Sequence, residues 1–330
     1  MDVEFAKVWD KARKESINKL VEIGVFDRFA EQVHQRLPGQ VRIQGETAEF
    51  TSRFINLTAQ GFVPLIFGGH FNHLDPVVES HFCQHLVDLA EEVGLGENLK
   101  GFVATLARSV SEGQQSDFMQ VMYPHMEAYA NKRKVEFFPI TREKDTEMYG
   151  MKLGINEKRP LVSRLRQKGM GGLILPGGSV QPGRHPKGAS GDQIFGLQEV
   201  ESTELPELFD FMERSGRLIH QQPYFLPIGV SRTYRLFSSD SKLPTPEGLI
   251  SLYDGISQLS GIFGFKRMYV DIRPGMPLTE EDMTDNLGSD WMSNPKETTF
   301  FLMKQAAQLN LPHERGFYGE QDRVVEEVAA

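Results

Sequence analysis

After residue 60 the chain repeats one device: a short apolar run, then a helical pattern. Phe62-Val63-Pro64-Leu65-Ile66-Phe67 is the first such run, and others follow at Gly101 to Leu106, Val135 to Ile140, Gly172 to Leu175, Tyr224 to Val230 and Met268 to Ile272. Most intervals carry apolar side chains at helical spacing, as in Val77 to Val93, Phe118 to Ala130 and Leu205 to Arg214. Runs this short and this apolar predict strands buried on both faces, and helices between them predict crossover connections. The expected fold class is α/β: a mostly parallel mixed sheet flanked by helices, with functional residues gathered in loops beyond the strand ends.

Residues 1–60 read as a helical N-terminal region and 61–330 as the α/β domain. In the first part Phe5, Val8, Trp9 and Ala12, then Leu20, Val21, Val25 and Phe29, recur at helical spacing until Pro38-Gly39 stops the pattern. That predicts a helical pair, and Thr47 to Ala59 predicts a further helix. Residues 183–203 and 239–247, rich in Gly, Ser and Pro, read as loops, and Lys296 to Leu309 as a late helix.

Thirty-six Lys plus Arg against 45 Asp plus Glu leave a net charge of −9, which opposes binding to nucleic acid unless a local basic patch forms. The one cysteine, Cys83, cannot close an intrachain disulfide, and no Cys cluster exists to hold zinc or an iron–sulfur centre. A reducing compartment fits. The opening Met1-Asp2-Val3-Glu4-Phe5 is acidic where a signal peptide is basic, and no apolar run approaches the ~20 residues that cross a bilayer. A soluble or peripheral protein is expected.

The richest chemistry follows the first run directly, in Gly68-Gly69-His70-Phe71-Asn72-His73-Leu74-Asp75-Pro76. A His and an Asp five apart at a glycine turn can fold so that Asp75 accepts one imidazole N–H of His70. The other ring nitrogen is then left as a base able to deprotonate a hydroxyl that attacks an activated acyl group. A structural histidine or a helix cap is the plainer alternative, and His73 competes for the base role. His81 and His85, four apart on the following helix, could share a metal. Packing or surface roles suit them better, because no His-Glu-x-x-His is present.

Leu173-Ile174-Leu175-Pro176-Gly177-Gly178-Ser179-Val180-Gln181-Pro182-Gly183-Arg184-His185-Pro186-Lys187-Gly188 is a strand ending in a glycine-rich basic loop. Its backbone N–H groups, with Arg184 and Lys187, suit a phosphate; a surface loop is the alternative. It matches neither a Walker loop nor a hydrolase elbow. Phe137-Phe138-Pro139-Ile140-Thr141-Arg142-Glu143-Lys144 is another strand with basic residues past its end. Arg142 and Lys144 either hold the same phosphate or form a solvated set with Glu143 and Asp145.

Taken in order, four segments resemble the blocks of the glycerolipid acyltransferase superfamily: His70 to Asp75, Phe138 to Lys144, Leu175 to Lys187, and Phe225-Leu226-Pro227-Ile228-Gly229-Val230. Within it the chain looks most like the soluble, plastid-type glycerol-3-phosphate 1-acyltransferases, over roughly residues 60–240. Gly177 stands where membrane-bound members carry Glu, and Ser179 to Gly183 separate the glycines from Arg184 where plastid-type members have Gly-Gly-Arg-Asp-Arg.

The resemblance implies transfer of a fatty acyl group from an acyl carrier protein (ACP) or coenzyme A to the sn-1 hydroxyl of glycerol 3-phosphate. His70 would be the general base, Asp75 its orienting partner, and Arg142, Lys144, Arg184 and Lys187 the phosphate contacts. No cofactor or metal is needed, and cytoplasm or plastid stroma is the implied setting, with peripheral contact to a membrane. Lys158, Arg159, Arg164, Arg166 and Lys168, or Lys132-Arg133-Lys134, could dock the anionic donor, or be solvated helix faces. Rival expectations are a lysophospholipid acceptor, a thioester hydrolase, and a non-catalytic protein that binds acyl carriers or phosphorylated ligands.

Overall fold

The fold is taken from a computed structural model that describes residues 3–25, 37–69, 75–107, 117–141, 158–174, 204–217, 220–231, 270–312 and 315–319, with Asp27, Arg28, Glu31, Gln35, Leu197 and Val200. Among the described residues seven strands form one sheet: β1 (Val41–Ile43), β2 (Phe62–Gly68), β3 (Gly101–Ala107), β4 (Val135–Ile140), β5 (Met170–Ile174), β6 (Gln222–Ser231) and β7 (Val270–Pro274). Their order is β1-β7-β6-β2-β5-β3-β4. β6, β2, β5, β3 and β4 run parallel, β7 runs antiparallel to β6, and β1 is parallel to β7.

Helices among the described residues include α1 (Val3–Glu22), α2 (Ala48–Ala59), α3 (Asp75–Glu92), α4 (Asp117–Asn131), α5 (Lys158–Leu165), α6 (Glu204–Gly216), α7 (Glu280–Leu287) and α8 (Pro295–Gln308). They cover both faces of the sheet, so the architecture is the expected mostly parallel mixed sheet flanked by helices. On one face Phe50, Phe54 and Leu57 of α2, Phe82 and Leu86 of α3 and Met126 and Tyr129 of α4 pack on Ile66, Phe102, Leu173 and Leu226. On the other, Leu161 of α5, Phe209 of α6 and Leu302 and Met303 of α8 pack on Val63, Leu65, Phe67, Val103 and Phe225. β2 is apolar throughout because its side chains alternate between two buried layers.

Local chemistry sets the helix ends. Thr47 caps α2 by accepting the Phe50 N–H at 3.1 Å. Thr279 and Asp282 form a capping box on α7, and Asp282 also pairs with Arg53 of α2, tying together helices from opposite faces. Partial burial opposes ionisation of the Asp282 carboxyl, but the hydrogen bonds from Thr279 and Arg53 outweigh it and hold the pKa below its ordinary value.

Three features depart from the pattern reading. β1 adds a strand where only helices are expected, and with α2 it joins residues 41–59 to the same sheet and core. The last run forms a strand at Val270–Pro274 that is antiparallel to its neighbour. Glu280–Leu287 is a helix outside the intervals singled out above, whereas the helix at Lys158–Leu165 agrees with the alternative reading of that basic run as a helix face. α1 supplies the first half of the expected helical pair, and most of residues 26–36 lie outside the described residues. Among the described residues no helix is long and apolar enough to cross a membrane.

Candidate active site

β2 is where the chain changes direction across the sheet: β5, β3 and β4 lie to one side of it, and β6, β7 and β1 to the other. Loops beyond the carboxyl ends of strands diverge at such a point and leave a crevice. The register puts Phe67 opposite both Ile174 of β5 and Pro227 of β6, so β2 and β5 end within one residue of each other while β6 runs on to Ser231.

The exit of β2 carries two glycines, Gly68 and Gly69, for a steric reason. A Cβ on Gly68 would stand 3.0 Å from Ile228 Cγ1 and from its carbonyl oxygen, and a Cβ on Gly69 would stand 2.2 Å from Leu197 Cδ2. Neither position has room for a side chain, so the chain leaves the sheet under close packing from both sides.

His70, its competitor His73, and the basic residues Arg142, Lys144, Arg184 and Lys187 lie outside the described residues; Asp75 is the first residue of α3. What the structure supplies is their points of departure. His70 directly follows Gly69, Arg142 follows Thr141 at the end of β4, and the loop of Arg184 and Lys187 follows β5. β5 is hydrogen-bonded to β2, so the His-x4-Asp segment and the glycine-rich segment follow strand ends about 5 Å apart. β4 is an edge strand three positions from β2, so the strand end that Arg142 and Lys144 follow is about 14 Å away.

α3 begins at Asp75, and its histidines have separate partners. His81 Nε2 lies 2.7 Å from the Tyr129 hydroxyl of α4, and His85 Nε2 lies 2.8 Å from Glu46 Oε2. Burial, then the nearby Arg133 guanidinium, push the His81 pKa from 6.5 down to about 3. The unfolded chain therefore takes up this proton first. The stabilising effect of the neutral ring is complete above about pH 6.5 and is lost as the pH falls towards 3, by at most about 1.4 kcal/mol per pH unit. In urea titrations from pH 7 to pH 4, the stability difference between wild type and His81→Phe should change steadily with pH; a constant difference would contradict this assignment. Cys83, also on α3, is buried, and burial followed by the neighbouring Glu79 raises its thiol pKa well above the ordinary value, which makes it an inert core thiol.

The two basic runs considered for donor docking fall mainly at the other end of the sheet. Arg166 and Lys168 lie in the turn that enters β5, and Lys132, Arg133 and Lys134 in the turn that enters β4. A strand length of about 20 Å separates them from the carboxyl end of β2. Arg164 pairs with Glu136 at 3.2 Å, Arg166 stands over the Phe211 ring at 5.8 Å and Arg133 over the Tyr129 ring at 3.6 Å. Lys158 and Arg159 open α5.

One basic side chain at the site end carries no motif. Arg273 of β7 stands opposite Gly229, one residue past the level of Gly68 and Ile228. Its Nη1 donates to Ser231 Oγ at 3.1 Å and to the Leu309 carbonyl beyond α8 at 3.4 Å, and its Nη2 lies 3.5 Å from the buried Asp271. Only the antiparallel pairing of β7 with β6 brings it there, and no local spacing announces that pairing.

No protein-family model matches the chain, and no curated protein matches it in sequence.

Proposed function

We propose that this chain is an acyltransferase that moves a fatty acyl group from acyl-ACP or acyl-coenzyme A to the sn-1 hydroxyl of glycerol 3-phosphate. The observation that carries the reading is a juxtaposition: in sequence a His-x4-Asp segment follows the central strand β2 and a glycine-rich segment with Arg184 and Lys187 follows β5, and β2 and β5 are adjacent in the sheet. Base and anion site then share one crevice, as an acceptor with both a hydroxyl and a phosphate requires.

In this mechanism the free ring nitrogen of His70 takes the hydroxyl proton as the acceptor oxygen attacks the thioester carbonyl, and Asp75 holds the imidazole orientation and stabilises the imidazolium. The tetrahedral intermediate collapses, the C–S bond breaks, and the proton passes to the departing thiolate. No acyl-enzyme forms, and the exchange of thioester for ester needs no metal or cofactor. The general base supplies about 10²–10⁴ in rate, and the phosphate contacts of Arg142, Lys144, Arg184 and Lys187 add positioning.

The test is an assay of purified protein with radiolabelled glycerol 3-phosphate and acyl-ACP or acyl-coenzyme A side by side. Labelled 1-acyl-glycerol 3-phosphate from either donor is the expected product. Label that stays water-soluble with both donors, while an acylated acceptor is used readily, would move the assignment to a lysophospholipid acyltransferase.

A further inference from the structure

We propose that Leu197, anchored by the turn at residues 315–319, is a positioning residue that fixes the exit of β2 at Gly69 and through it the base that follows. The proposal rests on the reading of His70 as that base.

Leu197 is 1% exposed, and its side chain lies directly on Gly69: Cδ2, Cγ and Cδ1 would stand 2.2, 3.2 and 3.3 Å from a Cβ there. It is not free to swing aside. Its carbonyl accepts the Phe317 N–H at 2.8 Å, and three residues later the Val200 N–H donates to the Tyr318 hydroxyl at 3.0 Å. Tyr318 is itself 1% exposed, with ring centroids 5.5 Å from Phe300 of α8 and 5.3 Å from Phe317.

Three segments far apart in sequence are thus linked in series: the 315–319 turn holds Leu197, Leu197 covers Gly69, and Gly69 precedes His70. A general base acts only when its nitrogen lies within hydrogen-bond reach of the proton it removes, and misplacement by about 1 Å can cost about 100-fold in rate. Close packing on the residue before the base restricts the turn in this way, because a filled contact resists displacement in both directions.

The experiment is a double-mutant cycle on Gly69→Ala and Leu197→Ala, read as kcat, as KM for glycerol 3-phosphate and acyl donor, and as thermal midpoint, with circular dichroism to confirm folding. Gly69→Ala should lower kcat about 100-fold while each KM stays within about threefold. Adding Leu197→Ala, which clears the space the new methyl needs, should recover about tenfold of that loss. Tyr318→Phe keeps the ring, removes the hydroxyl that receives the Val200 N–H, and should lower kcat without moving KM.

A folded Gly69→Ala protein that is equally slow with and without Leu197→Ala would overturn the proposal, as would a loss expressed only in KM. The thermal midpoints separate failure of the contact from failure of the activity reading. Coupled midpoints in a protein that lacks transferase activity would retain the contact and reject both the base-positioning role and the transferase reading. Normal transferase activity with uncoupled kcat would reject the positioning role alone.

Discussion

Replacing His70 with alanine should lower acyl transfer by about 10²–10⁴-fold while fold and acceptor binding persist, because in the proposed mechanism it removes the group that accepts the hydroxyl proton and leaves the acceptor contacts in place. Asp75→Asn should also slow turnover, since an amide can orient the ring but cannot stabilise the imidazolium. His73→Ala should be milder than either. The check is kcat at saturating glycerol 3-phosphate for all three proteins. Equal activity in wild type and His70→Ala would remove the mechanism, and a complete loss confined to His73→Ala would transfer the base role to that residue.

Arg142→Ala and Arg184→Ala should each raise KM for glycerol 3-phosphate by about one to two powers of ten, the equivalent of ~1.5–3 kcal/mol for a charge-assisted hydrogen bond, with donor KM nearly constant. The strand order makes the pair informative. Arg184 follows β5, the strand next to β2, in sequence, whereas Arg142 follows the edge strand β4, three positions away. For both to grip one phosphate, the chain after Thr141 must turn back over the ends of β3 and β5. An effect at Arg184 alone would confine the phosphate to the β2–β5 crevice. An unchanged acceptor KM in both variants would dismiss the clamp and the substrate assignment with it.

Much of the sheet is legible because parallel strands covered on both faces must be apolar at every position. β2 shows this most directly, as its six-residue apolar run coincides with six of its seven residues. Caps make helix ends legible too: Thr47 places the start of α2 within one residue of the pattern reading. β1 escapes because three residues, one of them the exposed Arg42, are too few to establish a period. Strand neighbours are harder still, since an apolar run has the same composition in either direction and at any place in the sheet. The antiparallel course of β7 and the edge position of β4 are therefore invisible locally, and with them the arrival of Arg273 near the end of β2 and the distance between the ends of β4 and β2.

The residues of the candidate site are legible as chemistry, through a His and an Asp at fixed spacing and basic residues beyond strand ends, but their mutual placement is a property of topology. Leu197 shows the limit most sharply. In a segment of Gly, Ser and Pro composition it reads as part of a loop, and its importance lies in a contact with Gly69 more than a hundred residues away. Arg164 shows the converse: in the sequence it is part of a basic run, and in the fold it is engaged by Glu136 across two elements.

The most direct test of the central claim, direct transfer assisted by His70 without an acyl-enzyme, is to follow a labelled acyl thioester with the protein in the absence and then in the presence of glycerol 3-phosphate. Without acceptor the label should remain in the thioester, with neither free fatty acid nor acylated protein. On addition of glycerol 3-phosphate it should pass to 1-acyl-glycerol 3-phosphate, and His70→Ala should block that passage. Release of free fatty acid at an undiminished rate without acceptor, or label bound covalently to the protein, would contradict it.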